Sequence, residues 1–135
     1  MGFLIDSSIL IDHERGRLDL SDHLNRREGE EFFLSVVSAS ELLHGVHRAK
    51  DPAVRNRRSA WVEAVLERFP LLSIDIATAR AHARLSAELA QQGEIIGPND
   101  LWLASSCLAH GLVLVTANQG EFDRVPGLGL ENWAI

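Results

Sequence analysis

The chain has 135 residues, 46% of them hydrophobic and 24% charged, which suits one globular domain (1–135) and excludes a disordered tail, a collagen-like chain or a second catalytic module. The 19 Asp and Glu outweigh 13 Lys and Arg for a formal net charge of −6, which excludes a protein that simply coats nucleic acid. One cysteine, Cys107, rules out an intrachain disulfide and a cysteine-built zinc site.

The opening MGFLIDSSILID has no basic region and only short apolar runs, so neither a signal peptide nor a membrane span is expected there, and a cytoplasmic location follows. Phe3-Leu4-Ile5 reads as a buried strand that ends at Asp6 and turns through Ser7-Ser8 into a helix. The polar stretch 15–31, with Leu18, Leu20 and Leu24 at helical spacing, predicts a rim helix. A second strand is expected over 32–37, and Ser38 to Glu41 before Leu42-Leu43 matches a capping box opening the next helix. Asp51-Pro52 begins a longer helix with the apolar stripe Trp61, Val62, Val65, Leu66 and Phe69, closed by Pro70. A third strand is expected over 71–75 and a helix over 76–92, with Gly93 just past its end. Pro98 stands at the first position of a helix that runs to Gly111 and is apolar almost all round. Leu112 to Val115 is a fourth strand, continuous in hydrophobicity, and 130–133 adds a short edge strand. Alternating strands and helices without repeats predict an α/β three-layer domain: a mainly parallel central sheet flanked by helices.

Ligands of such sheets sit beyond the carboxyl ends of the strands. There the sequence places Asp6 after the first strand, Glu41 at the helix after the second, Asp100 at the helix before the fourth, and Thr116-Ala117-Asn118 after the fourth. Carboxylates gathered at one edge repel each other and raise each other's pKa unless a hard divalent cation sits among them. Mg²⁺ or Mn²⁺ suits such an oxygen set. Each acid also has an ordinary reading: Asp6 as a helix cap, Glu41 as the closing member of the capping box, Asp100 as an acid at a helix start.

The motifs FLIDSSILID, SVVSASELLHGV, GPNDLWLASSCLAHG and LVTANQGEFDRVPGLGLENW together resemble the PIN-domain family, and within it the VapC-like toxins of bacterial toxin–antitoxin pairs. The resemblance runs nearly end to end. It implies a PIN-like fold and a metal-dependent ribonuclease that hydrolyses RNA phosphodiester bonds. Asp6 and Asp100 would then be the principal Mg²⁺ ligands, with Mn²⁺ as the other candidate, and Glu41 would complete the triad. Thr116 and Asn118 fall on the family's T-x-D or T-x-N segment, with Ser7 or Ser8 supplying a hydroxyl. Asn118 brings no charge, so the fourth-acid role stays open between Asn118, Glu121 and Asp123. The resemblance further implies a VapB-like antitoxin, a homodimer and a larger toxin–antitoxin assembly.

Residues 44–68 carry Arg48, Lys50, Arg55, Arg57, Arg58 and Arg68 against three acids, either a solvated helix face or a phosphate-tracking surface to which Arg48, Lys50 and Arg55 belong. Trp61 and Trp102 read as packed side chains, Trp61 as core or interface more than as a base-stacking platform, and Trp133 as structural. Two other readings remain: a catalytically silent PIN-like binding module, and a housekeeping RNA-processing nuclease. Phosphoryl-transfer domains on similar sheets are disfavoured, because Ser8 stands where a dehalogenase-like phosphatase wants a second Asp, and Lys50, the only lysine, lies away from every strand end.

Overall fold

The computed structural model describes residues 2–133. In chain order the elements are β1 (Gly2–Ile5), α1 (Ser7–Glu14), α2 (Leu20–Arg26), β2 (Glu31–Ser35), α3 (Val36–Arg48), α4 (Pro52–Arg68), β3 (Leu71–Leu72), α5 (Ile76–Gln91), α6 (Pro98–His110), β4 (Leu112–Val115) and β5 (Leu130–Glu131), with a 3-10 turn at Phe122–Arg124. The strands form one five-stranded parallel sheet in the order β3-β2-β1-β4-β5. The expected α/β three-layer architecture is therefore the one observed.

Strand alternation decides what each face buries. Phe3 and Ile5 of β1 join Ile9, Leu10, Leu42, Val62 and Val65 in a core under α1 to α4. Leu4, between them, belongs to the opposite core with Leu85, Leu89, Leu103, Ala104 and Cys107 of α5 and α6. Helices on both faces explain why β4 is apolar at consecutive positions.

Chain order runs outward from β1 through β2 to β3, then crosses back to place β4 on the other side of β1. The sheet's switch point thus lies between β1 and β4, where open α/β sheets leave a crevice at the carboxyl ends. Asp6 and Thr116 are the first residues past those two strands.

Four local expectations are corrected. The second strand stops at Ser35, not at residue 37, because the Ser35 hydroxyl accepts from the Val37 N–H at 3.1 Å and starts α3 there. Ser38 consequently opens no helix; it is fully buried inside α3, and its hydroxyl oxygen has no hydrogen-bond partner among the described residues. The third strand is only Leu71–Leu72, since Asp75 leaves the sheet to cap α5, accepting from the Thr78 N–H at 2.9 Å. The rim helix occupies only Leu20–Arg26 of the stretch expected for it, capped by Asp19 through the Asp22 N–H.

Candidate active site

Asp6 occupies the N-cap position of α1, yet its side chain makes no capping bond. Its carboxylate is buried and turned to the loop after β4. Oδ2 accepts from the Thr116 hydroxyl at 2.8 Å and from the Ser8 hydroxyl at 2.9 Å, whereas the Ser7 hydroxyl reaches Oδ1 only at 3.5 Å. Ser8 also accepts from the Ala117 N–H at 3.1 Å, and Thr116 accepts from the Asn118 N–H at 3.1 Å. These bonds stitch the start of α1 to the loop after β4. Of the two serines, Ser8 carries the network; the Asn118 side chain is exposed and only its backbone takes part.

Glu41 lies in the second turn of α3, so the capping explanation does not apply to it. Its pKa is raised, first by burial and then by the charge of Asp6, while a hydrogen bond with Asn99 pulls the other way. Asn99 was not singled out from sequence; its position next to Asp100 was the available signal.

Asp100, in the first turn of α6, shares a hydrogen bond with Glu121. Burial, that hydrogen bond, and the charges of Asp6, Glu121 and Glu41 push its pKa up to about 7. Glu121 moves down instead, held by the Gly97 N–H at 2.9 Å and by Asp100, with Arg124 adding a smaller pull. The proton of this pair therefore sits on Asp100. Among the residues considered for a fourth acid, Glu121 stands beside Asp100, while Asp123 is exposed on the 3-10 turn.

Asp100 thus feels the charges of Asp6, Glu41 and Glu121, and Glu41 feels that of Asp6, the electrostatics a cation relieves. The available donors are oxygens, which suit a hard divalent ion and not zinc. Among the described residues no three His, Cys, Asp or Glu side chains stand close enough to hold a metal ion by themselves. A fitting ion is one that binds through one or two carboxylates and keeps its waters, as Mg²⁺ does.

Beside Glu41 opens a cleft of about 540 Å³ between α1, α3 and α4. Ile11, Leu42, Val54, Trp61 and Val62 give it apolar walls, and Arg15, Arg48, Arg57 and Arg58 surround them. Lys50 is exposed at the α3–α4 junction and does not line the cleft. Arg55 donates through Nε and Nη2 to the Ala49 carbonyl, at 2.9 and 2.7 Å, closing the end of α3. Of the three basic residues expected to contact phosphate, only Arg48 faces this opening.

The chain belongs to the PIN-domain family, whose model matches residues 3–128. Within that family it is similar to the "tRNA(fMet)-specific endonuclease VapC" of Shigella flexneri, 32% identical over 98% of both chains. It is also 32% identical to "Ribonuclease VapC2" of Haemophilus influenzae, over 97% of both. Among solved structures it matches a DNA-bound VapBC from Salmonella typhimurium, with a TM-score of 0.88 and 28% identity over 99% of both chains. A VapBC2 from Rickettsia felis bound to promoter DNA gives a TM-score of 0.86 and 29% identity, over 98% of this chain and 99% of the other.

Proposed function

We infer that this protein is a divalent-metal-dependent ribonuclease, with Mg²⁺ as its ion, and the toxin half of a toxin–antitoxin pair. The observation that carries the reading is the gathering of Asp6, Glu41 and Asp100, with Glu121 behind Asp100, at the switch-point edge of the sheet. Full-length relatives named as ribonucleases support the same chemistry.

Asp6 and Asp100 are the residues to hold the metal, and Glu41 completes the acidic wall. Bound there, a divalent ion offsets phosphate charge and lowers the pKa of a coordinated water. The protein's own contribution is placement. Thr116 and Ser8 occupy Oδ2 of Asp6, leaving Oδ1 with only the long Ser7 contact and so the better placed to face the ion. Glu121, fixed by the Gly97 N–H, holds Asp100 in position and receives its hydrogen bond. Water is the nucleophile, so the products carry a 5′-phosphate and a 3′-hydroxyl, and the RNA 2′-hydroxyl is not needed as a nucleophile.

The partner is a VapB-like antitoxin, in keeping with the VapBC structures, and the toxin acts as a homodimer within a larger assembly in the cytoplasm. Among the described residues no helix is long and apolar enough to cross a membrane. The test is cleavage of end-labelled transfer and total RNA by the purified chain, with Mg²⁺, Mn²⁺ or EDTA, beside Asp6→Asn and Asp100→Asn. Cleavage should need the metal and both carboxylates; activity surviving in EDTA or in both variants overturns the mechanism.

A further inference from the structure

Asp100 is delivered to the acidic cluster by the loop between α5 and α6, so whatever fixes that loop also fixes the acid. Alternation along it sends Ile95 outward, 78% exposed, and Ile96 inward, 9% exposed, into the core that holds Leu89, Leu103 and Phe122. Gly97 follows as the N-cap of α6, and its carbonyl accepts from the Leu101 N–H at 2.9 Å. Having no side chain, it offers the first turn no side-chain cap. The start of α6 is therefore positioned from outside the helix.

The segment that positions it is the 3-10 turn after β4. Phe122 and Val125, both buried, sink this turn into the same core. A 3-10 helix has three residues per turn, so side chains three apart stand above one another. Glu121 and Arg124 are such a pair, joined by the Arg124 N–H donating to the Glu121 carbonyl at 3.2 Å. Both reach the loop. Glu121 Oε2 accepts from the Gly97 N–H at 2.9 Å, and the Arg124 guanidinium donates through Nη1 to the Ile95 carbonyl. The two bonds grip the backbone on either side of Ile96. Gly97 lets the grip close, because a Cβ there would stand 3.4 Å from Glu121 Oε2 and 3.9 Å from Asp100 Oδ2. Arg124 also places its positive charge near Glu121.

We propose that Arg124 is a positioning residue of the catalytic site: together with Glu121 it clamps the backbone at Ile95 and Gly97, and so sets where α6 holds Asp100 against Asp6 and Glu41. The inference rests on the ribonuclease reading and adds to it a residue that touches neither metal nor RNA. Arg124 acts through two peptide groups, those of the Ile95 carbonyl and, by way of Glu121, the Gly97 N–H. Groups that orient a metal ligand from behind are commonly worth about 10- to 100-fold in metal affinity, because a ligand that must first be ordered binds less tightly. A clamp with one prong missing leaves Glu121 as the remaining hold on the loop from the 3-10 turn.

Two measurements read the clamp and its consequence separately. In EDTA, amide hydrogen exchange at Gly97 should speed up about tenfold in Arg124→Ala, while exchange at Leu103, fully buried in α6, keeps the parent rate. In a Mg²⁺ titration followed by melting temperature, the half-maximal rise should need roughly 10- to 100-fold more ion in Arg124→Ala. Arg124→Lys keeps a charge and a donor and should recover much of both effects, whereas Arg84→Ala, exposed on α5, should change neither. Parent-like exchange at Gly97 in Arg124→Ala overturns the proposal. Equally faster exchange at Gly97 and Leu103 also overturns it, because that pattern is a loss of global stability. So does faster Gly97 exchange at an unchanged Mg²⁺ midpoint, which would leave the loop clamped without bearing on Asp100. A parent that shows no Mg²⁺ response and cuts no RNA refutes the ribonuclease reading instead, and exchange at Gly97 then decides the clamp by itself.

Discussion

Asp6 divides its two oxygens between different tasks: Oδ2 takes two hydroxyls, and Oδ1 has only a long contact with Ser7. Thr116 is fully buried and links that carboxylate to the Asn118 N–H, so its hydroxyl both donates and accepts. Thr116→Val removes both bonds while keeping the shape, and should cost about 1–3 kcal/mol in urea unfolding, with Thr116→Ser recovering most of it. Asp100 yields a pH prediction of opposite sense to a salt-bridged acid. Its pKa is raised from 3.8 to about 7, so without metal the folded chain keeps a proton that the unfolded chain has already lost. Stability of the metal-free protein therefore falls as pH rises across that window and levels off above it. Asp100→Asn should be more stable than the parent in EDTA at about pH 8, the gap closing toward pH 4; an unchanged gap would show that Asp100 is not strained by its neighbours. Asp6, Glu41 and Asp100 were legible as candidates from their places after the first strand, at the helix after the second and at the helix before the fourth. Glu121 was legible only as one of three candidates, because its approach to Asp100 depends on how the chain returns after β4.

The helix that carries Glu41 shows what local pattern can and cannot decide. Two serines three residues apart, Ser35 and Ser38, each suit the start of α3, and Ser38 has a glutamate at the capping-box spacing. The outcome depends on where the sheet lets go. β2 pairs with β3 through Ser35, and the chain turns immediately afterwards. Ser35→Ala should therefore cost about 0.5–2 kcal/mol, the loss of an N-cap. Ser38→Ala should cost little or stabilise, because its buried hydroxyl has no partner to lose. The reverse order in chemical denaturation would restore the capping box and, with it, a purely structural account of Glu41. Other ends were readable in advance because a single residue type forces them: Pro98 begins α6, and Gly111 ends it with φ +64°. The cleft was harder to see. Its α4 stripe is present in the sequence as positions 54, 57, 58, 61 and 62, but the mixture of arginine and apolar residues hid it, and Arg15 joins from just past the end of α1.

For the whole molecule, parallel topology was legible because strands alternate with helices, whereas the placing of β1 between β2 and β4 is a tertiary outcome. That placing separates charge. The carboxylates collect at the switch-point edge, Arg15, Arg48, Arg57 and Arg58 surround the neighbouring cleft, and Glu41 joins the two regions. The net charge of −6 thus contains an acidic cluster and an arginine-lined cleft side by side, which a uniform acidic surface would not allow. A consequence appears in stability as well as in activity. A ligand that binds only the folded state at 100 times its Kd stabilises it by about 2.7 kcal/mol, which for a chain of this length moves Tm by roughly 10 °C. Mg²⁺ should produce a concentration-dependent rise of that kind in the parent, measured by scanning calorimetry. The rise should shrink in Asp6→Asn and in Asp100→Asn and persist in Trp61→Ala, because Trp61 lies outside the carboxylate cluster. An equal Mg²⁺ response in the parent and both carboxylate variants would place the ion elsewhere on the acidic surface and remove Asp6 and Asp100 as its ligands.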